Sequence, residues 1–535
     1  MSQRALYGAG RHIDMYALSV IWAPFRTPLR RRCAMWHAGV LQYHHVFDMR
    51  WERHSMAKDG ITARSKDYSQ WYLDIVREAD LADYAEVVRG CIVFKPTGYA
   101  IWEGIQSGLD ARIKETGHVN AYFPLLIPKS FLMKEAEHVE GFAPEVAEVT
   151  HASGEELAEP YVIRPTSETI IGYFYAKWVR SYRDLPILIN QWANVMRWEM
   201  RTRPFLRTAE FLWQEGHTVH ATEQEAEEET LMILNDVYAD FVEKEMAVPV
   251  FRGRKTEKEK FPGALRTYGI EAMMQDGRAL QAGTSHNLGQ NFAKAFDIQF
   301  TDQNNTIQTA WTSSWGVSTR LIGALIMSHS DDDGLVIPPR LAPIQAVVVP
   351  IYKNDAEKAA VMDAVARITT DWKGKIRFKV DTRDHLSPGF KFNEWEVKGV
   401  PVRIEVGPKD VEKGSVAMAR RDIPGREGKS FVPQEGLTER IVALLEEIQT
   451  ALYQRALAFR TAHTKTVTSY EELKTQIETG FAYCWWAGNS DDERRIQEET
   501  RATIRCIPLD QPGGTGTCIY TGKPATEMVL FARSY

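Results

Sequence analysis

Apolar and polar positions change period several times along the chain, and each change predicts an element. Over 67–86 (DYSQWYLDIVREADLADYAE) apolar residues recur at helical spacing, predicting an amphipathic helix. A short strand then leads into a helix over about 98–116. A strand over 120–126 is expected to run through Pro124, and a proline without a ladder donor belongs at a sheet edge or a subunit interface. At 161–168 (YVIRPTSE) a strand ends in Thr166, Ser167 and Glu168 before a helix. Helix capping accounts for Ser167, whereas Glu168 is a candidate partner for an ammonium group. The stretch 194–220 (NVMRWEMRTRPFLRTAEFLWQEGHTVH) alternates around Val195, Met196 and Trp198, turns basic through 201–207, and resumes an apolar run at 211–213. This predicts a hairpin with an exposed basic tip.

Beyond it, a capping box at Thr222 and Glu225 opens a helix over 223–245 with a solvated acidic face. A lysine-rich loop spans 253–261, solvated or in contact with phosphate or RNA. A loop bracketed by Gly283 and Gly289 carries Gln281, Thr284 and His286. A strand then precedes a helix over 319–328 with Arg320 in its first turn, and IPPRLAP at 337–343 forms a stiff linker. From Pro343 strands alternate with helices over 355–372, 390–397 and from 437, a small α/β domain. Lys409, Lys413, Arg420 and Arg421 lie near its strand ends, where solvated loops and RNA contact are equally good readings.

The candidate chemistry concentrates in 194–220, with four arginines, three glutamates, two tryptophans and two histidines. A solvated charged hairpin is the competing reading. Arg197, Glu199, Gln214 and Glu215 fall within apolar strands, however, where an unpaired charge is costly to bury. A basic tip suits a polyanion such as a nucleoside triphosphate. Arg320 opposes the dipole at its helix N-terminus, which calls for an anion.

Composition narrows the class. The chain has 535 residues, 44% of them hydrophobic, enough for about three domains. No apolar run reaches the ~18 residues of a membrane span. At a net charge of −6, any nucleic-acid partner must be met by local basic patches. Five cysteines without a CxxC pair fit a reducing compartment, and a cytoplasmic location is expected. The first 55 residues differ, with eight arginines, no lysine and three acids. They read as a transit peptide, or as a disordered tail or sequence upstream of a start at Met56, the latter being preferred.

RPTSE, RWEMRTRPFLRTAEFLWQEGH, KTEKEKF, QAGTSHNLGQNF and SWGVSTRLIGALIMSHSDDDGLVIPPRLAPIQ together resemble the prolyl-tRNA synthetases of the archaeal/eukaryotic-like type, which are class II aminoacyl-tRNA synthetases. The likeness covers nearly all of 56–535. It implies an α+β catalytic domain over 56–337, an antiparallel sheet flanked by helices. This is followed by an α/β anticodon-binding domain over 338–440, a connecting helix over 441–463 and a small α+β C-terminal domain over 464–535. The implied activity is proline–tRNA ligation: proline and ATP give prolyl-adenylate and pyrophosphate, and proline then passes to the 3′ end of tRNA(Pro).

By position, Arg197, Glu199, Arg207, Gln281, Thr284 and Arg320 would bind ATP, with Arg197, Arg207 and Arg320 catalytic. Thr166, Glu168, Phe211, Trp213, Glu215, His217 and His286 would form the proline pocket. Pro124 would lie at the interface of a homodimer, and Mg²⁺ would assist the phosphates. Proline's carboxylate is already ionised near pH 7, so the first step needs permanent cations to align two anions and no general base. Only about 100 residues separate the second and third motifs of the resemblance, implying no editing insertion and poor rejection of alanine. Where many relatives hold zinc with four cysteines, this chain has Ala487, Asp492, Cys518 and Thr521, so no structural zinc is expected. The final Tyr535 matches relatives whose terminal carboxylate reaches toward the active site. Two other classes stand beside the ligase: a catalytically silent RNA-binding homologue, and a synthetase for another amino acid such as threonine, which would want a Cys/His metal set in its pocket.

Overall fold

Alternating apolar residues in the central segment pair as two antiparallel strands, Ile187–Met196 and Glu210–His220, in register from Ile187↔Val219 to Met196↔Glu210. The computed structural model describes residues 60–138 and 145–535; the leader expected at 1–55 lies outside the described residues. The hairpin belongs to an eleven-stranded sheet. Its second strand pairs with Trp311–Ser318, which pairs with Ala279–Gly289, then Arg266–Met273, then Val250–Arg254. The other edge is the two-residue strand Val119–Asn120, parallel to Ile189–Asn190.

The sheet continues into the C-terminal segment, because Thr503–Pro508 pairs with Val250–Arg254 through Ile507↔Arg254 and Pro508↔Gly253. Gly253 permits this approach, since a Cβ there would stand 2.6 Å from both the Cys506 Cβ and the Ile507 carbonyl oxygen. The strands Glu527–Ala532, Phe481–Trp486 and Thr464–Thr466 complete that side. The main core packs the helices Tyr68–Glu78, Pro96–Glu115 and Arg320–His329 against one face of the sheet, the face of Leu212 and Trp192. Residues 345–433 form a separate five-stranded mixed sheet, and the long helix Leu437–His463 joins its core. Among the described residues, no helix is long and apolar enough to cross a membrane.

Four expectations are corrected. The first helix stops at Glu78, because Asp80 takes a left-handed φ of 62° and turns the chain into the strand Ala82–Tyr84. Pro124 is in no strand: it is exposed in the connection between Val119–Asn120 and Leu126–Pro128, where the Phe123 amide donates to the Gln191 side chain instead of a ladder. The glycine-bracketed loop is the strand Ala279–Gly289. The acidic helix, Glu223–Met232 running on through a π-helical stretch to Lys244, leaves Glu225, Glu228 and Asp236 to solvent as expected but not all of its acids. Glu229 is buried against His118 at 2.8 Å, and Glu223 and Glu227 pair with Arg266.

In the 345–433 unit, two of the basic candidates are structural. Arg420 pairs with Asp422, and buried Arg421 reaches Asp331 at 2.6 Å; Lys409 and Lys413 stay exposed.

Candidate active site

The hairpin tip is less exposed than its charge suggests. Pro204, Phe205 and Leu206 are buried, with the Pro204 carbonyl accepting from the Tyr72 hydroxyl at 2.7 Å and Leu206 filling the space over Gly323. Burying this apolar triplet leaves Arg201 and Arg207 outside and stacks Arg203 on Tyr72 at 5.0 Å.

Beneath the tip lies a cavity of about 550 Å³ whose walls come from the hairpin, the strands Ala279–Gly289 and Trp311–Ser318, and the start of the helix Arg320–His329. Eleven of the thirteen residues expected to hold ATP or proline line it: Thr166, Glu168, Arg197, Phe211, Trp213, Glu215, His217, Gln281, Thr284, His286 and Arg320. Glu199 and Arg207 do not. They face each other outside it, with Arg207 Nε 3.6 Å from Glu199 Oε2. Between cavity-lining Glu215 and His217, Gly216 makes room on the core side for the Trp315 ring, from which a Cβ there would stand 2.1 Å.

Opposite charges share the cavity. Arg197 donates through Nε to the Pro165 carbonyl at 2.9 Å and lies over Phe211 and Trp213 at 5.5 and 5.3 Å. It opens to the cavity, yet protein packs around it closely enough that burial lowers its pKa, against the pull of Glu168 and Glu215. Arg320 is brought down to about 10 by burial first, then by the like charges of Arg207 and Arg197. Guanidinium groups crowded this way are short of an anion.

Among the cavity's acids, Glu168 accepts from Thr166 Oγ1, and buried Glu215 anchors a network. Glu215 accepts from the Ser167 amide at 3.1 Å and from Gln191 Nε2 at 2.8 Å, and it contacts His217 Nε2 at 3.3 Å. Burial works against both charges of the pair. Their mutual hydrogen bond and charge attraction, joined by the Ser167 amide on Glu215 and by Glu168 beside His217, together outweigh it, so Glu215 titrates below and His217 above the ordinary range. Half-buried His286 contacts Thr267 Oγ1 at 3.0 Å and is pushed down to about 3 by burial and the neighbouring His217 and Lys255 charges, so it is neutral.

Sequence reasoning missed several supports. Ser167 is not a side-chain cap: its hydroxyl accepts from Gln191 at 2.9 Å. Arg164 is fully buried and ties the Phe123 carbonyl to the Asn194 carbonyl at 2.7 and 2.8 Å. Asn190, Gln191 and Asn194 are the polar positions of that strand, but neutral amides alone do not announce burial. The lysine-rich loop is not simply solvated: Lys255 is buried on Glu271 at 2.6 Å, and Glu259, Lys260, Phe261 and Pro262 line the cavity. Tyr535 packs at the far side of the tip, its hydroxyl on Asp276 at 2.6 Å and its ring 5.7 Å from Arg203. Among the described residues, no cluster of three or more His, Cys, Asp or Glu is arranged to hold a metal ion.

This arrangement can hold a polyanion against fixed cations beside a cationic group held by carboxylates. Family models agree with it: the tRNA synthetase class II core domain matches residues 149–329, the anticodon binding domain 345–432, and the prolyl-tRNA synthetase C-terminal domain 470–535. The proline–tRNA ligase of Roseiflexus castenholzii is 81% identical over 480 residues, covering 90% of this chain and all of the relative. That of Chloroflexus aurantiacus is 79% identical with the same coverage. The crystal structure of the prolyl-tRNA synthetase from Cryptosporidium parvum, complexed with halofuginone and AMPPNP, superposes with a TM-score of 0.84 at 41% identity, covering 89% of this chain and 99% of that one. With its class II core, anticodon-binding domain and C-terminal domain all accounted for, the chain belongs to the prolyl-tRNA synthetase family, the ATP-dependent ligases that join proline to tRNA.

Proposed function

We propose that the cavity divides the ligase reaction between two sets of side chains. Arg197, Glu199, Arg320, Gln281 and Thr284 hold ATP, with Arg207 closing on the outer phosphates from the hairpin tip. Thr166, Glu168, Phe211, Trp213, Glu215, His217 and His286 hold proline. The proline carboxylate oxygen bonds to the α-phosphorus as the bond to the bridging oxygen of pyrophosphate breaks. Prolyl-adenylate then passes its acyl group to the terminal ribose hydroxyl of tRNA(Pro), releasing AMP. The work is alignment and charge neutralisation, for which permanently charged arginines are suited. Glu168 faces the secondary ammonium of proline, and Phe211 and Trp213 offer apolar surface to its ring. The observation carrying this reading is the crowding of Arg197 and Arg320 in one cavity with Glu168 and Glu215.

Mg²⁺ would arrive on the nucleotide, whose phosphates supply most of its ligands, since the described residues offer no protein cage for it. Several observations support the remaining assignments. Residues 223–289 are spent on core helices and strands, consistent with the type that lacks an editing insertion and with the archaeal/eukaryotic-like subtype. Exposed Val119, Tyr122 and Leu126 surround Pro124 at the sheet edge, as a homodimer interface requires. At the four zinc-ligand positions, Asp492 accepts from the Asn489 amide at 3.1 Å and Cys518 from the Thr521 amide at 3.5 Å, leaving one thiol where four are needed. We assign the chain to the cytoplasm, with 56–337 as catalytic domain, 338–440 as anticodon-binding domain, 441–463 as connecting helix and 464–535 as C-terminal domain. Titration calorimetry separates the two sets. Arg320→Ala should weaken ATP binding at least tenfold and leave proline binding near wild type; Glu168→Gln should do the reverse. If both variants weakened the same ligand, the division would be wrong.

A further inference from the structure

The cavity wall formed by Glu259, Lys260, Phe261 and Pro262 belongs to a loop that begins at Lys255, directly after the strand Val250–Arg254. A loop of this charge would be mobile if left to itself. It is held instead at its first two residues. Lys255 Nζ donates to Glu271 Oε1 at 2.6 Å and to the Arg505 carbonyl at 2.7 Å. Arg505 in turn donates to both Glu271 oxygens, at 3.1 and 3.2 Å, so one fully buried carboxylate holds two cations. Thr256 Oγ1 donates to Glu493 Oε2 at 2.9 Å, and all three of Thr256, Glu493 and Arg505 are buried.

Both clamping side chains come from the C-terminal segment, Glu493 from the helix Ser490–Thr500 and Arg505 from the strand Thr503–Pro508. The grip passes along the loop. The Thr256 carbonyl accepts from the Glu259 and Lys260 amides at 3.1 and 2.9 Å, so the anchored residue sets where the cavity-lining turn begins. The turn ends where the Phe261 amide donates to Thr267 Oγ1 at 2.9 Å, and the same hydroxyl contacts His286 at 3.0 Å. The Phe261 and His286 rings also pack at 4.7 Å.

We propose that the C-terminal domain serves catalysis by positioning the proline end of the pocket, with Glu493 acting through Thr256, and Arg505 through Glu271 and Lys255, to seat the 255–262 loop. None of these residues touches the cavity, so they are positioning residues. The proposal rests on the assignment of the His286 end to proline.

Proline-dependent ATP–pyrophosphate exchange on the full chain tests it. Thr256→Val and Glu493→Ala each remove the same hydrogen bond. Each should raise the KM for proline five- to twentyfold while kcat and the KM for ATP stay within twofold. The double variant should be no worse than the poorer single, because one interaction is lost in all three. Thr256→Ser and Glu493→Gln keep a donor and an acceptor and should restore the wild-type KM. A merely structural role would lower kcat and active-enzyme yield without this selective change. An unchanged proline KM in folded Thr256→Val, with Glu168→Gln raising it, would overturn the proposal and leave the pocket assignment standing. An unchanged proline KM in Glu168→Gln would overturn the pocket assignment and the proposal with it.

Discussion

His217 and Glu215 show at the scale of single residues how the site sets its charge. Folding raises the His217 pKa above its ordinary 6.5 and lowers that of Glu215 below 4.5. The histidine's contribution to stability is therefore complete below 6.5 and fades as pH rises through its raised value. The carboxylate's contribution is complete above 4.5 and fades as pH falls through its lowered value. Urea midpoints measured between about pH 5 and 9 should show wild type losing its advantage over His217→Gln on the alkaline side. A difference between the two that stayed constant across that range would contradict the pairing. Glu215 was legible in the sequence because a carboxylate in an apolar strand demands a partner. Gln191 and Lys255 were not: a neutral amide and one lysine in a lysine-rich run announce burial only once Glu215 and Glu271 are in place beside them.

Elements were legible where their pattern is local. The hairpin, the capping box at Thr222 and the helix beginning at Arg320 follow from period and caps. The hairpin tip was not, since Pro204–Phe205–Leu206 is buried by the helices that carry Tyr72 and Gly323. The strand Ala279–Gly289 was hidden because its glycines and hydroxyls look like loop residues; Gly283 is small because Val317 and Tyr238 pack against it, and the Ser285 hydroxyl donates to the Thr230 carbonyl. The same logic makes Gly216 sensitive. Gly216→Ala would drive a methyl into the Trp315 ring, and thermal unfolding should show a loss of about 1–3 kcal/mol. A variant as stable as wild type would mean that the core around Trp315 yields more easily than this packing implies.

Across the whole molecule, the catalytic sheet and the C-terminal segment are one hydrogen-bonded structure joined at Ile507↔Arg254, a long-range pairing that no local pattern encodes. The order of domains, in contrast, was readable from the switch to alternating strands and helices after Pro343. A pocket selecting for a small apolar ring discriminates by only about 10–200-fold per missing methylene, so alanine-dependent exchange should be detectable at high alanine concentration. Its absence would point to rejection by contacts other than size. Elemental analysis of purified protein should find zinc well below one per chain, and stoichiometric zinc would refute the reading of Asp492 and Cys518. The central claim is that the arginines beneath the hairpin neutralise the phosphates of ATP while proline attacks. Proline-dependent ATP–pyrophosphate exchange by Arg197→Ala tests it most directly. The account predicts a loss of about 100-fold or more in kcat/KM with the fold intact; exchange at the wild-type rate would contradict it.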